Sequence, residues 1–127
     1  MTGTKKIICA AAVVALVASL STMGVMAASY NEIAYDITSK KYCTSMANDT
    51  GSAQGVSINT RPTTTTSSVT VELTTSDGTL VQSSVFPWQA SVADWRPSIP
   101  SGEIRRIYIR PTTAGKRVKG TLYYKWN

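Results

Sequence analysis

Apolar and polar residues alternate along most of the chain after residue 28, and a period of two is the pattern of a β-strand. Residues 33–37, 56–59, 69–74, 106–110 and 118–126 show it. Each stretch directs one row of side chains to a core and the other row to water, as half-buried antiparallel strands do. Helical spacing of useful length is absent. The chain is therefore predicted to be all-β.

Turn signals separate these strands. Asp77-Gly78 is typical of a tight hairpin, Ala114-Gly115-Lys116 indicates a second turn, and residues 48–55 form a loop. With one further strand over 42–46 and another that starts near Thr79, after the hairpin, about seven short strands result. We expect a small antiparallel β-sandwich of immunoglobulin-like size, with a small β-barrel as the alternative. The comparison concerns architecture only, since no family motif is present.

The first 27 residues have the layout of a secretory signal peptide. Lys5 and Lys6 precede an apolar run over 7–20, and Val25 and Ala27 form a cleavage site. We expect a secreted protein whose single domain covers 28–127, and which meets the membrane only through its leader. The alternative is an uncleaved membrane anchor, because the stretch of low charge approaches one bilayer span.

Charge and cysteine content say little about partners. The chain has 13 Lys and Arg and 7 Asp and Glu, and removal of Lys5 and Lys6 leaves 11 − 7 = +4. This favours an anionic partner only weakly, because such a charge also keeps a small domain soluble. Without Cys9 of the leader, Cys43 stands alone. It is a free thiol, an intermolecular bridge or a small buried hydrophobe.

The residues required for catalysis are missing. The chain has no histidine, and its seven carboxylates are scattered. A histidine-activated cysteine is therefore impossible, and neither metal-ligand spacing nor a glycine-rich phosphate loop occurs. We expect a protein that is not an enzyme and that holds no cofactor or metal.

The tetrapeptide Arg-Pro-Thr-Thr occurs at 61–64 and again at 110–113, 49 residues later. At the same offset apolar residues also match on both sides. Proline has no N–H to donate and so ends strand pairing, and threonine caps freed backbone groups. We interpret each copy as the exit from a strand, at two equivalent corners of the sandwich. A shared binding role would require similar loops after the two copies, and these loops differ in chemistry. Chance and a duplicated binding loop are the alternatives.

The long connection over 87–102 is the first candidate binding surface. It contains three prolines, Trp88, Trp95 and Arg96. The two indoles could stack on a sugar ring or enter a partner surface, with Arg96 as a charged contact. The alternative is that both tryptophans fold back and close one end of the sandwich.

The second candidate surface is basic and aromatic. Its residues are Arg106, Tyr108 and Arg110 on one strand, and Lys119, Tyr123 and Lys125 on the last strand. If the two strands pair, these side chains cover one sheet face that binds polyanions through charge and stacking. The alternative is an ordinary solvated outer face, in which Lys and Arg stems cover aromatic rings.

These features favour a small secreted, non-catalytic binding protein. Its expected partner is an extracellular glycan, an anionic wall polymer or a surface protein, and not nucleic acid. One alternative is a self-assembling extracellular structural subunit, given the Thr-rich strands, an exposed edge at the last strand and Cys43. Another is a membrane-active, bacteriocin-like effector with the basic aromatic tail 122–127. The oligomeric state is not predicted.

Overall fold

The computed structural model describes residues 30–63, 67–88 and 94–127. Its strands are β1 (Asn31–Ile37), β2 (Lys41–Ala47), β3 (Gln54–Thr60), β4 (Val69–Thr74), β5 (Leu80–Phe86), β6 (Ser98–Ile99), β7 (Ile104–Pro111) and β8 (Val118–Trp126). The predicted leader, 1–27, lies outside the described residues. Among the residues described, no helix is long and apolar enough to cross a membrane.

The strands form two four-stranded antiparallel sheets. Sheet I has the order β1-β8-β3-β6, and sheet II has the order β2-β7-β4-β5. The buried residues of both sheets belong to one hydrophobic cluster, which confirms the predicted β-sandwich. In the described residues, no strand pairing joins the two sheets into a barrel. The strand that the sequence did not predict is β6, which lies inside the long connection 87–102.

The chain changes sheet at every connection except the β4–β5 hairpin. An eight-stranded sandwich with this connectivity is a jelly roll. Only residues 38–40 connect β1 to β2. Because three residues span little more than the distance between two packed sheets, β1 and β2 lie on the same side of the sandwich. The edges formed by β5 and β6 therefore lie on the other side.

The predicted hairpin at Asp77-Gly78 connects β4 to β5. The Thr75 N–H donates to the Thr79 carbonyl over 2.9 Å, and Gly78 has a φ of 94°, which glycine adopts without strain. Hydrogen bonds from Thr75 and Thr79 hold the pKa of the Asp77 carboxyl below its usual value. The sequence prediction of this turn is confirmed.

The inner rows of both sheets form an apolar core. Its buried members are Tyr35, Met46, Val56, Ile58, Val69, Val71, Leu73, Phe86, Ile99, Ile107, Ile109, Val118 and Leu122. Full burial of one Val, Leu or Ile side chain stabilises a fold by about 1.5–3 kcal/mol. Cys43, the one cysteine of the described residues, is free and packs at the margin of this core.

The two Arg-Pro-Thr-Thr segments lie at two related corners. The first follows the end of β3, and the second spans the end of β7. The Thr63 N–H donates to the Lys119 carbonyl over 2.9 Å, and the Thr112 N–H donates to the Ser68 carbonyl over 3.0 Å. The third residue of each tetrapeptide thus bonds to the chain at the other corner. This confirms the structural interpretation for the described residues; Thr64 lies outside them.

Candidate functional site

A sandwich of two open sheets has four edge strands, where another chain could add to unpaired backbone groups. Three of these edges carry features that oppose strand addition. β6 has two residues and lies between two prolines, and β1 presents the charged residues Glu32 and Asp36. β2 begins with Lys41 and has a register shift at Cys43. Short length, proline, charge and bulges are the usual protections of natural sheet edges.

Strand β5 lacks most of this protection. Its seven residues, LVQSSVF, include neither a charge nor a proline. Leu80, Val81 and Val85 are 56%, 42% and 53% exposed, so three of the six exposed large hydrophobic side chains of the described residues lie on this one strand. A long, uncharged and apolar edge strand is a site for pairing with another chain. β5 is therefore the candidate functional site.

The inner neighbour of β5 holds it in place. Five consecutive residue pairs connect it to β4, from Val69 opposite Phe86 to Leu73 opposite Gln82. Phe86 is fully buried in the core. The register then shifts, because Thr74 lies opposite Leu80 and Val81 is the extra residue of a bulge. The regular part of the free edge is therefore 82–86.

A charge network lies on the outer face of sheet II, beside β5. Glu72 of β4 accepts hydrogen bonds from Arg110 Nε and Lys40 Nζ, each over 2.8 Å. Burial alone would raise the pKa of the Glu72 carboxyl, but the hydrogen bonds and charges of Lys40 and Arg110 outweigh it and lower that pKa. The Lys40 ammonium also lies 4.9 Å from the centre of the Tyr108 ring.

This network changes the interpretation of the first half of the predicted basic surface. Arg106, Tyr108 and Arg110 do share one face of β7, because the residues between them are buried. However, Arg110 is paired with Glu72, and the ring of Tyr108 contacts Lys40 and the edge of Tyr42. Glu72 thus offsets part of the positive charge of this face.

The second half of the predicted surface lies elsewhere. Lys119, Tyr123 and Lys125 are in β8 of sheet I, whereas β7 belongs to sheet II. The pairing of the two strands that would have joined the six residues is absent, so a single basic-aromatic face is wrong. Tyr123 is only 7% exposed, and burial raises its pKa to about 12. Whether either half binds a ligand stays a prediction.

The long connection 87–102 packs partly against the sandwich. Trp95 exchanges two backbone hydrogen bonds of 2.9 Å with Ile58 of β3, and its side chain packs against the core. Trp88 is half-buried, and the side chain of Arg96 is exposed, with a guanidinium nitrogen 3.9 Å from Asp94. Residues 89–93 lie outside the described part. Trp95 thus fits the packing alternative, and ligand binding here stays a prediction.

The expectation that the last strand forms an exposed edge is wrong. β8 lies between β1 and β3 and pairs with both. Most of the tail 122–127, the candidate membrane-active segment, belongs to this central strand, with Leu122 and Tyr123 buried. Membrane activity of the tail stays a prediction. Alternation reveals that a segment is a strand, but it does not reveal which neighbours the strand will have.

A shallow depression of about 170 Å³ is a feature that the sequence did not predict. It is lined by Ala47, Asn48, Asp49, Thr50, Gln54 and Trp126. Trp126 is 39% exposed. The buried Asn48 amide donates to the carbonyls of Ser52 and Ile99 over 2.8 Å, and its oxygen accepts from Thr50. These bonds fix the loop and occupy the amide nitrogen of Asn48.

No arrangement suited to metal binding is present in the described residues. Within 30–63, 67–88 and 94–127, no group of three His, Cys, Asp or Glu side chains lies close enough to hold a metal ion. Burial raises the pKa of the Cys43 thiol to about 11, which opposes its use as a nucleophile at neutral pH.

Comparison with known proteins gives distant likenesses only. No family model and no curated protein matches the chain. One similar solved structure is described as “Bacillus endospore appendages form a novel family of disulfide-linked pili”. It is 12% identical, has a TM-score of 0.49, and the match covers 75% of this chain and 81% of that one. Another, “Crystal structure of PirA”, is 12% identical with a TM-score of 0.47, covering 76% and 93% of the two chains.

Proposed function

We propose that this protein is a non-catalytic extracellular structural subunit that associates with copies of itself by adding a strand at β5. The observation that carries the proposal is the contrast between the edges. β1, β2 and β6 are each protected by charge, a bulge, shortness or proline, whereas β5 presents an uncharged apolar strand. The leader-like sequence at 1–27 supports the extracellular location.

Strand addition at β5 is favourable for two physical reasons. It pairs the backbone N–H and C=O groups of the regular edge 82–86, and each such hydrogen bond contributes about 0.5–1.5 kcal/mol net. It also covers Val81 and Val85, whose full burial contributes up to about 1.5–3 kcal/mol each. Association costs about 4–15 kcal/mol in lost translational and rotational freedom. We therefore expect association that depends on concentration.

Sedimentation velocity of the exported protein over a wide concentration range tests this proposal. The wild type should shift from monomer to larger species, and Val85→Lys should remain monomeric, because a charge on the edge opposes pairing. Ala34→Lys is the matched control, since Ala34 is an exposed residue of the β1 edge. A wild type that stays monomeric throughout, or a Val85→Lys variant that associates equally well, would refute the proposal.

A second candidate function is recognition of an extracellular glycan at the depression beside Trp126. The observation that favours it is a half-exposed indole next to the side chains of Asp49 and Gln54, on a loop fixed by Asn48. An aromatic face with polar neighbours suits a sugar ring. Titration of soluble wall oligosaccharides, followed by isothermal titration calorimetry, should show binding that Trp126→Ala abolishes and Ile104→Ala retains.

A further inference from the structure

We propose that the association at β5 is isologous: β5 of one copy pairs antiparallel with β5 of a second copy across a two-fold axis perpendicular to sheet II. The two sheets II then form one continuous eight-stranded sheet, and the product is a closed dimer. This inference rests on the proposed function, since it concerns the same edge and names its partner strand.

Strand direction permits a second arrangement, which has to be excluded on other grounds. Sheet II has four strands, all antiparallel, so its two edges, β2 and β5, run in opposite directions. A copy shifted sideways would therefore present its β2 antiparallel to β5. Repetition of that contact would give an open, head-to-tail filament rather than a closed dimer.

The shape of β2 opposes this head-to-tail contact. Its register shifts between Tyr42 and Thr44, so Cys43 interrupts the edge after only two residues. The Cys43 thiol lies 3.8 Å from the Lys41 carbonyl, and the Tyr42 hydroxyl bonds to Ser45 over 2.8 Å. These contacts hold β2 in a locally bent form. Its longest regular stretch, 44–47, is shorter than the regular edge 82–86 of β5.

The absence of charge on β5 permits the isologous arrangement. A two-fold axis places residues at equal distances on either side of it opposite each other, so in a β1 pair centred on Ala34 each Glu32 would face Asp36 of the other copy. β1 has Glu32 and Asp36, and β2 has Lys41, whereas β5 has no charge. Of the three seven-residue edge strands, β5 is the one without a charged residue.

The side chains of β5 also match under two-fold symmetry. Residues directly opposite in an antiparallel pair lie on the same sheet face, so an outward residue must meet an outward one. With Ser83 on the axis, two small side chains meet at the centre. The apolar Val85 then lies opposite the bulged Val81 region of the other copy. Val81 and Val85, exposed in the single chain, are covered in the dimer.

Disulfide trapping tests the inference. Both native cysteines are first replaced (Cys9→Ser, Cys43→Ser), and Ser83→Cys or Ser45→Cys is added as the sole thiol. Directly opposite residues in antiparallel strands lie within the Cα range of a disulfide. Under mild oxidation, Ser83→Cys alone should shift from one to two chain masses on a non-reducing gel. Ser45→Cys alone, which places the thiol on β2, should not shift.

Mixing the two single-cysteine proteins distinguishes the arrangements. Disulfides only between Ser83→Cys copies support the isologous dimer. Disulfides only between Ser83→Cys and Ser45→Cys overturn it and leave self-association at β5 intact. Association by sedimentation without either product also overturns the two-fold pairing. A protein that remains monomeric by sedimentation refutes the proposed function itself. Both serines are partly or fully exposed, and far-UV circular dichroism of each variant checks the fold.

Discussion

Arg110 and Glu72 form a 2.8 Å ion pair on the outer face of sheet II, between neighbouring strands β7 and β4. Glu72 is also bound by Lys40, which precedes the edge strand β2. The Glu72 carboxylate thus connects β4, β7 and the residue that precedes β2, beside the edge strand β5.

We expect Glu72→Gln to lower the free energy of unfolding by about 1–2 kcal/mol, because hydrogen bonds to a charged group are replaced by weaker ones. The folded-state pKa of Glu72 is lowered, so its contribution is present above the ordinary value of 4.5 and is lost as the pH falls through the lower folded pKa. Denaturant unfolding at pH 7 and pH 3 measures this. A gap between wild type and variant that does not shrink at pH 3 would contradict the assignment.

Gly120 lies where a side chain has no room. A Cβ atom there would be 2.8 Å from the Tyr35 hydroxyl and 3.0 Å from the Arg61 carbonyl. We expect Gly120→Ala to destabilise the fold by about 1–3 kcal/mol through overpacking. Tyr35→Phe removes the closest atom, so the double variant should be more stable than the sum of the single effects predicts. Strict additivity in thermal unfolding would speak against this contact as the cause.

Asn48 fixes the loop between β2 and β3 with its side-chain hydrogen bonds. We expect Asn48→Ala to cost about 2–3 kcal/mol, because the buried carbonyl of Ile99 and the loop groups lose their partner. Asn31→Ala is the control: Asn31 is exposed and makes one long bond of 3.4 Å, so its loss should cost less than about 0.5 kcal/mol. Chemical denaturation of both variants gives the comparison.

The Cys43 thiol should react slowly. Burial raises its pKa from 9.0 to about 11, so the native protein at pH 8 holds about a hundredfold less thiolate than the unfolded chain. In a Cys9→Ser background, an aromatic disulfide reagent should modify Cys43 much more slowly in buffer than in denaturant. Equal rates in both solvents would mean that the thiol is not shielded in the folded protein.

The strands themselves were largely predictable from the sequence. Alternation correctly assigned Val69, Val71 and Leu73 to an inner row, because a half-buried strand cannot place apolar groups otherwise. The same reasoning assigned the polar residues between them to water. Thr70, Glu72 and Thr74 are in fact buried. Lys40 and Arg110 contact the Glu72 carboxylate, and the Thr70 hydroxyl bonds with that of Thr112.

The neighbours of each strand were not predictable in this way. Pairing of β7 with β8 was the condition for a single basic and aromatic face, but the two strands belong to different sheets. Alternation is a local property, whereas sheet order depends on contacts between residues far apart in sequence. The candidate site was missed for the same reason. The run LVQSSVF becomes an exposed edge only once β4 is known to be its single neighbour.

The position of β8 has a consequence for the order in which the protein can form. β8 follows β1 and β3 in the sequence yet lies between them in sheet I, and Asn31, at the start of β1, lies opposite Tyr124 of β8. Until β8 has left the ribosome, β1 and β3 have no strand between them. Sheet I therefore forms only through contacts between residues far apart in sequence, which slows folding.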